Sequence, residues 1–82
     1  FTNYPNPFNP STTILYNLPQ NSKVSIKIYN IYGREITKLV DGIQEKGSYS
    51  IVWKPESISS GVYYAILLTN YHYKTIKLLY MK

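Results

Sequence analysis

Few side chains in this sequence could run a reaction or hold an ion, and their spacing limits what they can do. His72 is the only histidine, set in "NYHYKT" between Tyr71 and Tyr73. A catalytic triad or a zinc centre needs partner side chains for it, and a single histidine in a predicted turn reads as a surface residue. The acids are Glu35, Asp41, Glu45 and Glu56, scattered over different turns and loops. Glycoside hydrolysis needs two carboxylates held across a cleft, and a chain of 82 residues has little room for one. Asp41 and Glu45 could share a calcium ion with loop carbonyls, but a solvated loop is the simpler reading. Cysteine is absent, which removes thiol chemistry and disulfides together. No glycine-rich phosphate loop is present. The sequence therefore predicts no catalytic centre, no cofactor and no metal site.

Binding chemistry has more material. Lys23 and Lys27 share one face of a predicted strand, and Lys74 and Lys77 lie on the last one. Interleaved with exposed tyrosines, they could form a stacking surface for nucleic acid. Lysines also guard strand faces and edges against aggregation, and no nucleic-acid motif accompanies them, so no nucleic-acid partner is expected. The net charge of +5 reflects scarce acids more than a basic cluster. Trp53 and the ten tyrosines could offer a carbohydrate platform. Trp53, however, is in phase with Tyr49 and Ile51, which makes it a core residue.

The elements that must position these side chains are strands. Alternation of period two dominates: Ile14, Tyr16 and Leu18 in "STTILYNL", Val24, Ile26 and Ile28 in "KVSIKIYN", Tyr49, Ile51 and Trp53 in "SYSIVWK", and Ile76, Leu78 and Tyr80 in "YKTIKLLYM". A short strand "EITKLV" breaks phase at Ile36, Leu39 and Val40, as a bulge would make it do. "VYYAILLT" is apolar on both faces, fitting a central strand. Turns are expected at Pro19–Ser22, at Gly33, in a polar loop from Asp41-Gly42 to Lys46-Gly47, in a loop from Pro55 to Ser60 closed by Gly61, and at Asn70–His72. No segment reads as a helix of ordinary length, and no apolar run approaches the roughly 20 residues that span a bilayer. An all-β fold follows, a small antiparallel β-sandwich of about six to seven strands. Its predicted core is Ile14, Tyr16, Val24, Ile26, Ile28, Tyr49, Ile51, Trp53, Ile76 and Leu78, and alternation alone does not decide which face of "VYYAILL" joins it.

Ahead of the first clear strand stands "YPNPFNPSTTI", with Pro5, Pro7 and Pro10 among Asn3, Asn6 and Asn9. Proline fixes φ and removes an amide donor, so neither helix nor central strand runs through it. The residues before each proline are pushed toward extended backbone, and the asparagines suit local Asx-type turns. The segment reads as a stiff lead-in. Residues 1–10 are expected to form a joint to an upstream domain and 11–82 the sandwich. The chain starts at Phe1 without methionine and is read as a piece of a longer precursor, so a missing targeting segment carries no weight.

Five blocks in one order now point to a family: "YPNPFNPSTTI", "IKIYNIYGREITKLV", "GSYSIVW", "SSGVYYAIL" and "KLLYMK". Together they resemble the type A C-terminal sorting domain of proteins exported by the type IX (Por) secretion system in the Bacteroidetes and related phyla. The resemblance implies an immunoglobulin-like sandwich attached to a larger cargo, acting as a non-catalytic address read by the outer-membrane translocon. It also implies a sortase-like protease as a second partner, and a secreted or cell-surface destination reached through the periplasm. Pro5, Pro7, Phe8, Gly33, Gly61 and Tyr63 are its motif and turn positions in this chain, and the resemblance implies that Tyr63 and Leu67 complete the core. Two departures stand out. Ala65 replaces a larger residue in "VYYA", and "NYHYKT" replaces a more glycine-rich hairpin, putting Tyr71 and Tyr73 on the surface. The hook-capping protein of flagella carries a related sandwich with similar "GVY" chemistry, but the terminal lysine-apolar block fits it less well. The competing reading is an accessory sandwich, carbohydrate-binding or stabilising, in a secreted enzyme.

On this reading Lys77, Leu78, Leu79, Tyr80, Met81 and Lys82 form the strip the translocon reads. A receptor strand could pair with its backbone and seat Leu79 or Met81 in pockets, while Leu78 and Tyr80 point to the core. The first and last strands of an open sandwich also expose unpaired backbone, so edge-to-edge self-association is expected.

Overall fold

Alternation in sequence becomes alternation in burial. In β3 (Ser22–Tyr29) the side chains of Ser22, Val24, Ile26 and Ile28 are buried while their neighbours face outward or lie half-buried. β2 (Thr12–Leu18) does the same with Thr12, Ile14, Tyr16 and Leu18. A computed structural model describes every residue except Asn9 and Lys82. It adds β1 (Thr2–Tyr4), β4 (Glu35–Gln44), β5 (Gly47–Trp53), β6 (Gly61–Leu68) and β7 (Tyr73–Tyr80). All strand pairs are antiparallel, in a three-stranded sheet β1-β2-β5 and a four-stranded sheet β4-β3-β6-β7.

This is the immunoglobulin-type order A-B-E over C′-C-F-G, with the fourth strand joined to the C strand. The fold carries a second mark of that class. Tyr63, near the start of β6, is buried, and its hydroxyl donates to the carbonyl of Ser59 in the preceding loop at 2.7 Å. A tyrosine tied back across the E–F corner pins the loop to the core in such sandwiches.

The core has two ends. At one, Phe8, Trp53, Tyr63 and Tyr80 pack with Ile14, Ile28, Ala65 and Leu78. At the other, Tyr16, Leu18, Val24, Ile26 and Leu67 pack together, with Tyr49 stacked on Tyr16 at 5.2 Å. Most predicted core positions are here. Tyr49, Ile51 and Ile76 are only half-buried, because β5 and β7 are edge strands and leave one flank open. Ala65 is fully buried in the core.

Three local readings need correction. The polar loop expected from Asp41 is strand instead: β4 continues to Gln44 and the chain changes sheet at Glu45–Lys46. Register shifts opposite Ile26/Lys27 and Ile28/Tyr29 supply the bulges that bend β4. Asn6, expected in a local Asx turn, instead bonds to β7. The N-terminal segment, expected ahead of the sandwich, is built into it. β1 pairs with β2, the carbonyl of Pro5 accepts from the buried Thr12 hydroxyl at 2.9 Å, and Phe8 is 2% exposed. The Tyr4–Pro5 and Asn6–Pro7 peptide bonds are cis.

Candidate recognition surface

β7 is the outer strand of the four-stranded sheet, so its side chains divide cleanly between core and solvent. Leu78 and Tyr80 are buried, Leu79 is half-buried on the opposite face, and Lys77 and Met81 are exposed. Lys82 lies outside the described residues. The register continues the outer face across the sheet: Leu79 sits beside Val62, Lys77 beside Tyr64, Thr75 beside Ile66, and Tyr73 beside Leu68. One strand further in, Tyr64 pairs with Tyr29 and Ile66 with Lys27. Between these rows runs a groove lined by Tyr29, Ile31, Tyr64, Ile66, Tyr73 and Thr75. The strip anticipated at the terminal strand is thus one border of an aromatic and aliphatic sheet face. Sequence reasoning missed the rest of that face. The signal was available in "VYYAILL", where seating Tyr63 and Leu67 in the core forces Tyr64, Ile66 and Leu68 outward.

The backbone edge of the same strand is already paired. Asn6 Nδ2 donates to the Lys77 carbonyl at 3.0 Å, and the Leu79 amide donates to Asn6 Oδ1 at 2.9 Å. The Phe8 amide then donates to the Leu79 carbonyl at 2.9 Å, and the Met81 amide to the Phe8 carbonyl at 3.0 Å. Phe8 and Tyr80 form a parallel bridge, so residues 6–8 act as a short extra strand, with the Asn6 amide side chain standing in for backbone. An incoming strand would meet an occupied edge from Lys77 to Met81. Only the edge around Tyr73 and Thr75, whose backbone groups alternate outward, has no bond of this kind among the described residues.

Below this edge the Phe8 ring stacks on Tyr80 at 5.3 Å and leans on Trp53 at 5.5 Å, and Trp53 meets Tyr63 edge-on at 5.8 Å. Pro5 and Pro7 stay exposed on the surface above. The motif residues of "YPNPF", "GVY" and "KLLYM" therefore converge at one end of the sandwich. Gly33 closes the nearby β3–β4 connection at φ +79°, a conformation side chains disfavour. Its turn is organised by Asn30, whose side-chain oxygen accepts from the Tyr32 and Arg34 amides. Gly61 opens β6 just after the tyrosine-tied loop.

Nothing comparable gathers around the titratable groups. Among the described residues no three His, Asp or Glu side chains lie close enough to hold a metal ion. Glu35 pairs with Lys27 and Asp41 with Lys38 on the surface. His72 is exposed in the β6–β7 turn against the ring of Tyr71.

A family model for the secretion system C-terminal sorting domain matches residues 2–81. No curated protein and no solved structure matches the chain.

Proposed function

The chain belongs to the family of type IX secretion C-terminal sorting domains, and on that premise we propose that it is a non-catalytic address for an attached cargo. The family match across nearly the whole chain carries the reading. The domain binds the outer-membrane translocon, and a sortase-like protease then separates it from the cargo, which ends outside the cell or on its surface. The side chains read are those β7 shows to solvent, Lys77, Leu79 and Met81, together with the aromatic sheet face they border. Residues 1–8 connect the cargo to the sandwich as part of its edge, which fixes where the cargo departs relative to the signal. Self-association, where it occurs, uses the sheet edges that remain open along β4 and β5.

The test is export of a periplasm-directed reporter carrying residues 1–82 in a type IX-competent host. Deleting Lys77–Lys82 is too blunt, since it also removes Leu78 and Tyr80 from the core. The informative variant is Leu79→Ser with Met81→Ser, which leaves the core residues in place. The expected outcome is reporter held in the periplasm with the thermal midpoint of the purified domain within a few degrees of the parent. Normal export by that folded variant would remove the terminal strand's outer face from the recognition surface.

A further inference from the structure

Residues 6–8 satisfy the edge of β7 with four hydrogen bonds and one buried ring, and their flanks are held by the β1–β2 pairing, the half-buried Phe1 and the Thr12 bond to Pro5. β1, which precedes them, is three residues long, and Tyr4, Pro5, Asn6 and Pro7 are all exposed. Phe8 is the one deeply buried side chain in the segment. Segments with so few buried contacts open at a fraction of the global unfolding free energy. When this one lifts, it uncovers the Lys77–Met81 backbone edge and an aromatic-walled slot between Trp53 and Tyr80.

We propose that this edge and slot form an exchangeable strand-docking site whose partner is an extended polypeptide segment carrying Asn-X-Phe. The chemistry of the partner is read from the segment seated there now. An amide side chain is needed because only paired acceptor and donor atoms serve both the Lys77 carbonyl and the Leu79 amide. An aromatic ring two residues later is needed to fill the slot beside Trp53 and Tyr80. Backbone pairing supplies the rest, as in other strand additions to a sheet edge. In the free domain the site is filled in cis. A short tether gives the cis segment an effective concentration on the order of millimolar, so a partner enters when that tether is pulled or cut. The proposal rests on the terminal strand being the part that is read, and it names what can pair with it.

The experiment uses the full chain with a protease site inserted between Pro10 and Ser11, cut after folding. The probe is a fluorescent peptide of residues 1–10, followed by anisotropy and by Trp53 emission. Binding is expected to the cut chain and, at the same concentrations, at least about 100-fold weaker to the uncut chain. Phe8→Ala in the peptide should weaken binding at least about 100-fold and Asn6→Ala about tenfold. A peptide altered elsewhere but keeping Asn-X-Phe should still bind. A folded cut chain that ignores the probe, or that binds the Phe8→Ala peptide equally well, overturns the proposal. Where cutting unfolds the chain, the uncut Asn6→Ala, Phe8→Leu variant, which keeps an apolar side chain in the slot, serves instead. Its thermal midpoint should rise with added parent peptide, and no rise at millimolar peptide overturns the proposal equally. Peptide binding is measured without export, so a failure here is separable from a failure of the sorting role.

Discussion

The two ends of the sandwich are closed in different ways. At the far end, the β2–β3, β4–β5 and β6–β7 connections are short and tied by polar groups. Asn21 Oδ1 accepts from the Lys46 amide, the Asn70 amide donates to Ser22 Oγ, and Tyr71 donates its hydroxyl to the Gln20 carbonyl. At the near end, closure depends on Phe8 reaching a strand some seventy residues away and stacking between Trp53 and Tyr80. The far end is held by short turns bonded to one another by side chains, with no ring inserted from the chain's N-terminal segment. The near end is complete only when both ends of the described chain are in place. That difference leaves "YPNPF", "GVY" and "KLLYM" at the end that closes only when residues far apart in the chain have met.

The strongest way to break the contrast is to empty the near end. Trp53→Ala or Phe8→Ala should cost roughly 3–5 kcal/mol, a large share of the stability expected of so small a domain. Leu67→Ala at the far end should cost roughly 2–5 kcal/mol, but with a different signature in hydrogen exchange. Phe8→Ala should strip protection from the Leu79 and Met81 amides while the β2–β5 ladder keeps its own. Leu67→Ala should lower protection throughout and leave those two amides no worse than their neighbours. Matching exchange patterns in the two variants would dissolve the distinction between the ends.

How much of this was legible in the sequence follows the same division. β2, β3, β5 and β7 announce themselves because alternate side chains enter one core, β6 because it is apolar on both faces, and Trp53 betrays its burial by phase with Tyr49 and Ile51. Phe8 carries no such signal. It sits among prolines that suppress periodicity, and its partner, Tyr80, is distant in sequence. From sequence Asn6 reads as a turn former because local bonds are the usual fate of its side chain; the alternative needs a strand edge that only the tertiary fold supplies. β4 was cut short for a related reason. Asp41-Gly42 is turn-like in isolation, yet the bulged ladder to β3 carries the chain through it to Gln44. The candidate recognition surface is half legible: Leu79 and Met81 follow from alternation along one strand, whereas Tyr29, Tyr64 and Ile66 require the cross-strand register.

A smaller perturbation sharpens the near-end account. Asn6→Ala removes two hydrogen bonds at an exposed edge, where water can replace both, so the expected cost is about 0.5–1.5 kcal/mol. Asn6→Asp should cost more than alanine, because a carboxylate accepts from Leu79 but faces the Lys77 carbonyl with no proton to donate. Urea midpoints for the two variants check the order, and a stable Asp variant would mean that the Lys77 contact contributes nothing.

The smallest expected effect belongs to the far end. The Tyr16 hydroxyl on β2 donates to Gln44 Oε1 on β4 at 2.8 Å, linking the two sheets. Burial raises its pKa above the ordinary value of 10.0, and the stacked Tyr49 adds to the shift. A group whose folded pKa is raised stabilises fully below its unfolded pKa, and the contribution is lost as pH climbs through the folded value. Stability should therefore fall as pH rises past about 10, and part of that fall should come from Tyr16 alone. Tyr16→Phe removes the titrating proton along with the hydrogen bond, so it should lower the thermal midpoint slightly at neutral pH and flatten its decline between about pH 9 and 11. The Phe8→Ala variant leaves Tyr16 in place and should keep the alkaline slope of the parent. Parallel pH profiles for the parent and Tyr16→Phe would show that Tyr16 contributes nothing to the alkaline decline.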